Sequence, residues 1–216
     1  MKKKHKNQLL FSLLVLALFI VFTISVRIID VKPIGAQNTN IGFAKFNVLV
    51  HTLTGVNMNL YTITDWLGLI PIAMMLLFAL IGLIQWFKRK RILNVDFNIL
   101  LLGLFYIIVT VTFLFFESVI INFRPILING MLEASYPSST TMLVMCIMPT
   151  ATLQIKKYIK HKTLRNILIV IIYIFTLFMV FGRLFSGVHW ATDIIGGALF
   201  SISLVTAYYS LCNLKL

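Results

Sequence analysis

The chain has 216 residues, of which 60% are hydrophobic and only 12% charged, and its formal net charge is +13. That is too apolar for a soluble domain, and several runs reach the roughly 20 residues needed to cross a bilayer. The positive charge does not point to a nucleic-acid partner. Lysine and arginine are grouped in short patches between apolar runs, as membrane topology requires. Membrane helices account for nearly all the hydrophobic mass, so residues 1–216 read as one all-α membrane domain.

The first span, about 9–29, follows the basic start MKKKHK. This start mimics a secretory signal. The run is long and no small-x-small cleavage site follows it, so it reads as a retained signal-anchor helix. The stretch from Asp30 to Asp65 is too long for a simple turn. Within it, 41–54 (IGFAKFNVLVHTLT) reads as a short amphipathic segment on the bilayer surface. His51 lies there and is assigned no role. Five further spans follow, at about 66–87, 97–121, 138–155, 166–185 and 190–212. The second contains Gly68 and Pro71, tolerable in a membrane helix. The fourth begins just after Pro137, a residue favoured in a first helical turn. Trp66, Trp86 and Trp190 stand near span ends and read as interfacial anchors. Cys146 and Cys212 have neither metal spacing nor disulfide logic and read as small core residues.

Six spans put alternate loops on opposite sides. Residues 2–6, 88–91, 156–165 and Lys215 carry fourteen basic residues on one side; Arg27, Lys32, Lys45, Arg124 and Arg183 are the five on the other. The positive-inside rule then places both termini in the cytoplasm. Three polar segments share the outer face: 117–125 (ESVIINFRP), 135–141 (SYPSSTT) and 182–193 (GRLFSGVHWATD). The last reads Arg-x5-His-x3-Asp. His189 and Asp193, four apart, lie on one face if the segment is helical. An aspartate that holds one imidazole nitrogen leaves the other free to attack, and Arg183 can hold phosphoryl oxygens. An aspartate inside an apolar span is a functional candidate by default. The pattern points to histidine-based phosphoryl transfer at the end of a membrane helix.

These segments, in this order, resemble the type 2 phosphatidic acid phosphatases, which share a helical fold with vanadium haloperoxidases. That family carries Lys-x6-Arg-Pro, then Pro-Ser-Gly-His, then Ser-Arg-x5-His-x3-Asp. The chain matches at Arg124 and Pro125, at Pro137 and Ser138, and at Arg183, His189 and Asp193. The motif-bearing core is 97–212. The resemblance implies a six-helix membrane bundle in which His189 attacks phosphorus and Asp193 orients it. Arg124, Ser138 and Arg183 would hold the phosphoryl group. It implies no cofactor and no metal, since arginines supply the positive charge. The expected partner is a lipid phosphate or diphosphate in the outer leaflet of the cell membrane.

The departures from the pattern are specific. Glu117 stands where the family has lysine, Ser139 and Thr140 where it has glycine and histidine, and Gly182 where it has the serine before arginine. Glu117 and Arg124 are seven apart, so Glu117 reads as an ion-pair partner that orients Arg124 if the helix continues, or as a structural polar contact within the bundle. Thr140 occupies the general-acid position and is far too weak an acid for it. Glu133 is a substitute acid if burial raises its pKa, and otherwise a solvated loop carboxylate. Without a general acid, an alkoxide leaves poorly, whereas a phosphate monoester, with a second pKa of about 6, leaves almost unaided. The expectation is therefore a lipid phosphatase that favours a polyprenyl diphosphate. The competing readings are a phosphatase-like protein that binds lipid phosphates without turnover, and a small transporter.

Overall fold

The structure is a computed structural model that describes residues 2–214. Six long helices form the bundle: α1 (Lys2–Ile28), α4 (Leu69–Arg89), α5 (Phe97–Ser118), α6 (Ser139–Tyr158), α7 (Lys162–Phe185) and α8 (Ala191–Leu214). Two shorter helices, α2 (Ala44–Thr54) and α3 (Met58–Leu67), follow a two-stranded antiparallel ribbon of β1 (Lys32–Pro33) and β2 (Asn40–Ile41). The chain is an integral-membrane helical bundle. Among the described residues, five stretches are long and apolar enough to cross a bilayer, one of them the α3–α4 run Met58–Arg89.

The sixth long helix, α6, falls outside that set because of where it sits. It packs against α4, α5, α7 and α8, and half of its side chains are buried. A helix surrounded by protein can carry polar groups that pair internally. Gln154 donates to the Tyr208 hydroxyl at 2.7 Å, and Thr152 shares a hydrogen bond with the Tyr209 hydroxyl at 2.8 Å. Around it lies an apolar core that includes Phe19, Phe78, Leu102, Phe105, Ile147 and Phe200. Cys146 and Cys212 are buried in this core as free thiols.

Helices α1 and α8 run antiparallel along most of their length. Ser12 and Ser203 exchange hydroxyl-to-carbonyl hydrogen bonds, both 2.9 Å, so small polar residues bring two backbones together. At the other end of α4, Asp96 joins three elements. It accepts from Lys157 Nζ at 2.9 Å, Arg89 Nη1 at 3.0 Å and the Tyr158 hydroxyl at 3.1 Å. The hydrogen bond from Lys157, opposed by partial burial and helped by Arg89, holds the Asp96 carboxyl at about 2.

Several expected boundaries shift, with physical reasons. The span expected at 66–87 is divided, with α3 ending at Gly68 and Pro71 falling in the first turn of α4, where no intrahelical N–H is needed. The span expected to reach 121 ends at Ser118. Pro137 lies before the α6 N-cap rather than in its first turn, because the Ser138 hydroxyl accepts from Thr141 N and takes the capping position. Trp66 and Trp86 are exposed on the bundle surface, but Trp190 is buried, and its indole donates to Phe123 O at 2.9 Å. It is a structural strut rather than an interfacial anchor.

Candidate active site

The site forms where the loop before α6, the α7–α8 turn and the α2–α3 segment meet. Its first part is a hairpin-like loop between α5 and α6. Asn129 and Gly130 both have positive φ, 51° and 78°, and Ile128 pairs with Met131 across them. An Asn-Gly pair of this kind is the preferred two-residue hairpin turn. The pairing runs back through Arg124 N to Glu133 O at 3.1 Å and Ser135 N to Asn122 O at 2.9 Å. Arg124 and Ser135 are thus set by the same register.

The second part is the turn from Arg183 to Asp193. Gly187 has φ 66°, and a Cβ there would meet Gly55 O at 1.9 Å. Only glycine fits, because the α2–α3 link passes directly against it. His51 bonds Gly187 O through Nε2 at 3.0 Å and lies against the Trp190 ring. His51, assigned no role from sequence, therefore buttresses the turn. Asn47 on α2 accepts from Thr192 N and donates to Thr192 Oγ1, fixing the first turn of α8.

His189 precedes α8 rather than lying in it. Asp193 is the third residue of α8, and its Oδ2 accepts from Trp190 N at 2.8 Å, a carboxylate reaching back to cap its own helix. The imidazole Nδ1 is 3.8 Å from Asp193 Oδ2, beyond hydrogen-bond reach. Ser135 fills the gap. Its Oγ lies 3.0 Å from His189 Nδ1 and donates to Asp193 Oδ2. With that proton committed, Nδ1–H donates to Ser135 Oγ, and Nε2 carries the lone pair. Asn122 Nδ2 completes the group with a 3.4 Å contact to Asp193 Oδ1. The expected direct His189–Asp193 bond is thus replaced by a three-member chain, because the capping duty holds the Asp193 carboxylate toward Trp190.

The two arginines gather around Tyr61 on α3, with guanidinium carbons 5.8 Å (Arg124) and 4.8 Å (Arg183) from its ring centroid. Arg183 is buried and held loosely, 3.4 Å from Thr64 Oγ1 and 3.6 Å from Asp65 Oδ1. Arg124 Nε lies 3.0 Å from Glu133 Oε2, a contact that is an ion pair and not a hydrogen bond. The expected Glu117–Arg124 pair is not formed. Helix α5 stops at Ser118, so the seven-residue spacing no longer puts the two on one face. Glu133 is a partner of Arg124 rather than a lone solvated carboxylate.

Six buried side-chain donor or acceptor atoms have no hydrogen-bond partner among the described residues, and four of them are nitrogens of this site: Arg124 Nε and Nη1, Arg183 Nε and His189 Nε2. Buried polar groups are normally paired, and a set of unpaired ones is a signature of a ligand site. Burial first, then the nearby Arg124 and Arg183, hold the His189 imidazole well below its ordinary pKa of 6.5. It is a neutral base facing two cations, a fit for attack on an anionic phosphorus centre. Ser138 is fully buried at the N-terminus of α6, and its backbone N–H donates to Asp193 O. Thr140 lies in the first turn of α6, and Glu117 in the last turn of α5.

The structure brings together Arg124, Ser138, Arg183, His189 and Asp193, the residues expected from the third motif and the family resemblance, and adds Ser135, Asn122, Tyr61, Thr64 and Asp65, which no motif names. The Asn129-Gly130 turn was the available signal for Ser135 and Asn122. No local signal marks the α3 residues. Gly182 has a structural reason: a Cβ there would lie 2.7 Å from Thr64 Cγ2, so α3 occupies the space a serine needs.

No curated protein sequence matches the chain. It is similar in structure to the transmembrane PAP2 type phosphatidylglycerolphosphate phosphatase from Bacillus subtilis, with 19% sequence identity and a TM-score of 0.47 over 80% of this chain and 94% of that one. The PAP2 superfamily sequence model matches residues 41–215, a stretch that holds α2 to α8 and every residue of the site, and the chain belongs to that superfamily.

Proposed function

We propose that the protein is an integral-membrane lipid phosphatase that removes a phosphate from a lipid diphosphate at the extracytoplasmic face, with His189 as nucleophile. Membership of the PAP2 superfamily supports a membrane lipid phosphatase in general. The observation that carries the finer reading is the set of unpaired buried nitrogens on His189, Arg124 and Arg183. His189 Nε2 attacks phosphorus, the bond to the leaving lipid phosphate breaks, and a phosphohistidine forms. Arg124 and Arg183 bind the equatorial oxygens and offset their charge. Ser138 accepts from Thr141 N and keeps its O–H to donate to the same group. Ser135 and Asp193 hold the imidazole tautomer and stabilise its positive charge as the bond forms. The basic segments 88–91 and 156–165 share one end of the bundle and support a cytoplasmic location for that end, with the site opposite.

A second reading, binding of lipid phosphates without turnover, is favoured by Glu117 and Thr140 at the positions of the family's lysine and histidine. Phosphate release from polyprenyl diphosphate by the purified protein in detergent separates the two. Turnover that His189→Ala abolishes supports the enzyme. Binding of the diphosphate with no release in the unmodified chain supports the binding protein.

A further inference from the structure

Beside His189 lies a small cavity walled by Glu117, Ser135, Pro137 and Ser139, with Phe113 and Phe116 closing its apolar side. The space open to the centre of a water-sized sphere is about 10 Å³. That is close to the minimum of about 10–15 Å³ that holds one water. Among the described residues, the other carboxylates of the site are engaged: Asp193 by Ser135 and Trp190, Glu133 by Arg124, and Asp65 by Arg183. Glu117 alone has no hydrogen bond or ion pair. A carboxylate near an anion site repels substrate, so the position is costly unless it serves the reaction.

We infer that Glu117 is the general base of the second half-reaction, removing a proton from the water that hydrolyses the phosphohistidine. This rests on the His189 reading above. The water oxygen bonds to phosphorus and the P–Nε2 bond breaks, its electron pair returning to Nε2. The water proton passes to a Glu117 carboxylate oxygen and then to solvent, and inorganic phosphate leaves. A carboxylate that takes up the water proton in this step is not the group that protonates a leaving group in the first. The assignment therefore agrees with a substrate whose first step needs no acid. The cavity, about one water in size, is lined by both His189 and Glu117.

The test is rapid-quench kinetics of the full-length protein in detergent with a polyprenyl diphosphate labelled at the terminal phosphorus. Glu117→Gln should release a burst of about one lipid monophosphate per protein, then turn over about 100-fold more slowly, within the usual contribution of proton transfer. An acid-labile label should accumulate on His189. Hydroxylamine, a nucleophile that needs no base, should discharge it, and Glu117→Asp should recover part of the steady rate. Turnover of Glu117→Gln within about threefold of the unmodified chain would overturn the assignment, as would slow turnover with no label on the protein. If the unmodified chain releases no phosphate, or His189→Ala still does, the histidine reading fails and this inference falls with it. Labelling of His189 in Glu117→Gln also shows that the variant is folded.

Discussion

Removal of the Ser135 hydroxyl tests the chain from His189 to Asp193. In Ser135→Ala, His189 Nδ1 loses its partner at 3.0 Å, and the nearest Asp193 oxygen is 3.8 Å away. Attack by Nε2 puts positive charge on the ring, so the lost contact is a hydrogen bond to a developing charge. Such bonds contribute about 1.5–3 kcal/mol. At about 1.4 kcal/mol per factor of ten, phosphoryl transfer should slow by roughly 10- to 100-fold. Stability should fall less, by about 1 kcal/mol, because Asp193 Oδ2 retains Trp190 N at 2.8 Å. The assay is a single-turnover measurement of lipid product release, which isolates the first step, beside a thermal melt. A first-step rate within about threefold of the unmodified protein would refute the argument. It would mean that the imidazole closes the remaining gap and bonds Asp193 directly.

A cysteine placed at Asn129 should react with a membrane-impermeant maleimide from outside, and one at Lys160 should be protected; the reverse pattern would invert the proposed topology. Thr140→His should raise the rate on an alkyl monophosphate more than on a polyprenyl diphosphate, and equal gains would remove leaving-group quality as the basis of selectivity. Because burial and two arginines depress the His189 pKa, the folded protein keeps that ring neutral below 6.5 while the unfolded chain protonates it. Its contribution to stability is therefore present above pH 6.5 and is lost as pH falls from there toward the depressed value; an NMR titration of His189, assigned with His189→Gln, that shows a midpoint near 6.5 would contradict this. Gly182→Ser should cost about 1–3 kcal/mol by forcing Thr64 and α3 away from α7, and an unchanged melt would show that α3 gives way freely.

The six long helices were legible in the sequence because bilayer thickness and apolar run length are local properties. So was the alternation that collects the basic segments at one end. The third motif was legible for a related reason, since Arg183, His189 and Asp193 lie within one turn and its helix. Partner choice was not. Arg124 pairs with Glu133 rather than Glu117 because α5 ends at Ser118 and the loop doubles back on its Asn129-Gly130 turn. Ser135 stands between His189 and Asp193 because that same hairpin sets its register opposite Asn122, while Asp193 is held by the N-terminus of its own helix. Tyr61, Thr64 and Asp65 reach Arg183 from more than 100 residues away in the chain. Run length and motif spacing are fixed along the chain, but which side chain fills the space beside a buried cation depends on helix packing, and only the tertiary structure decides that.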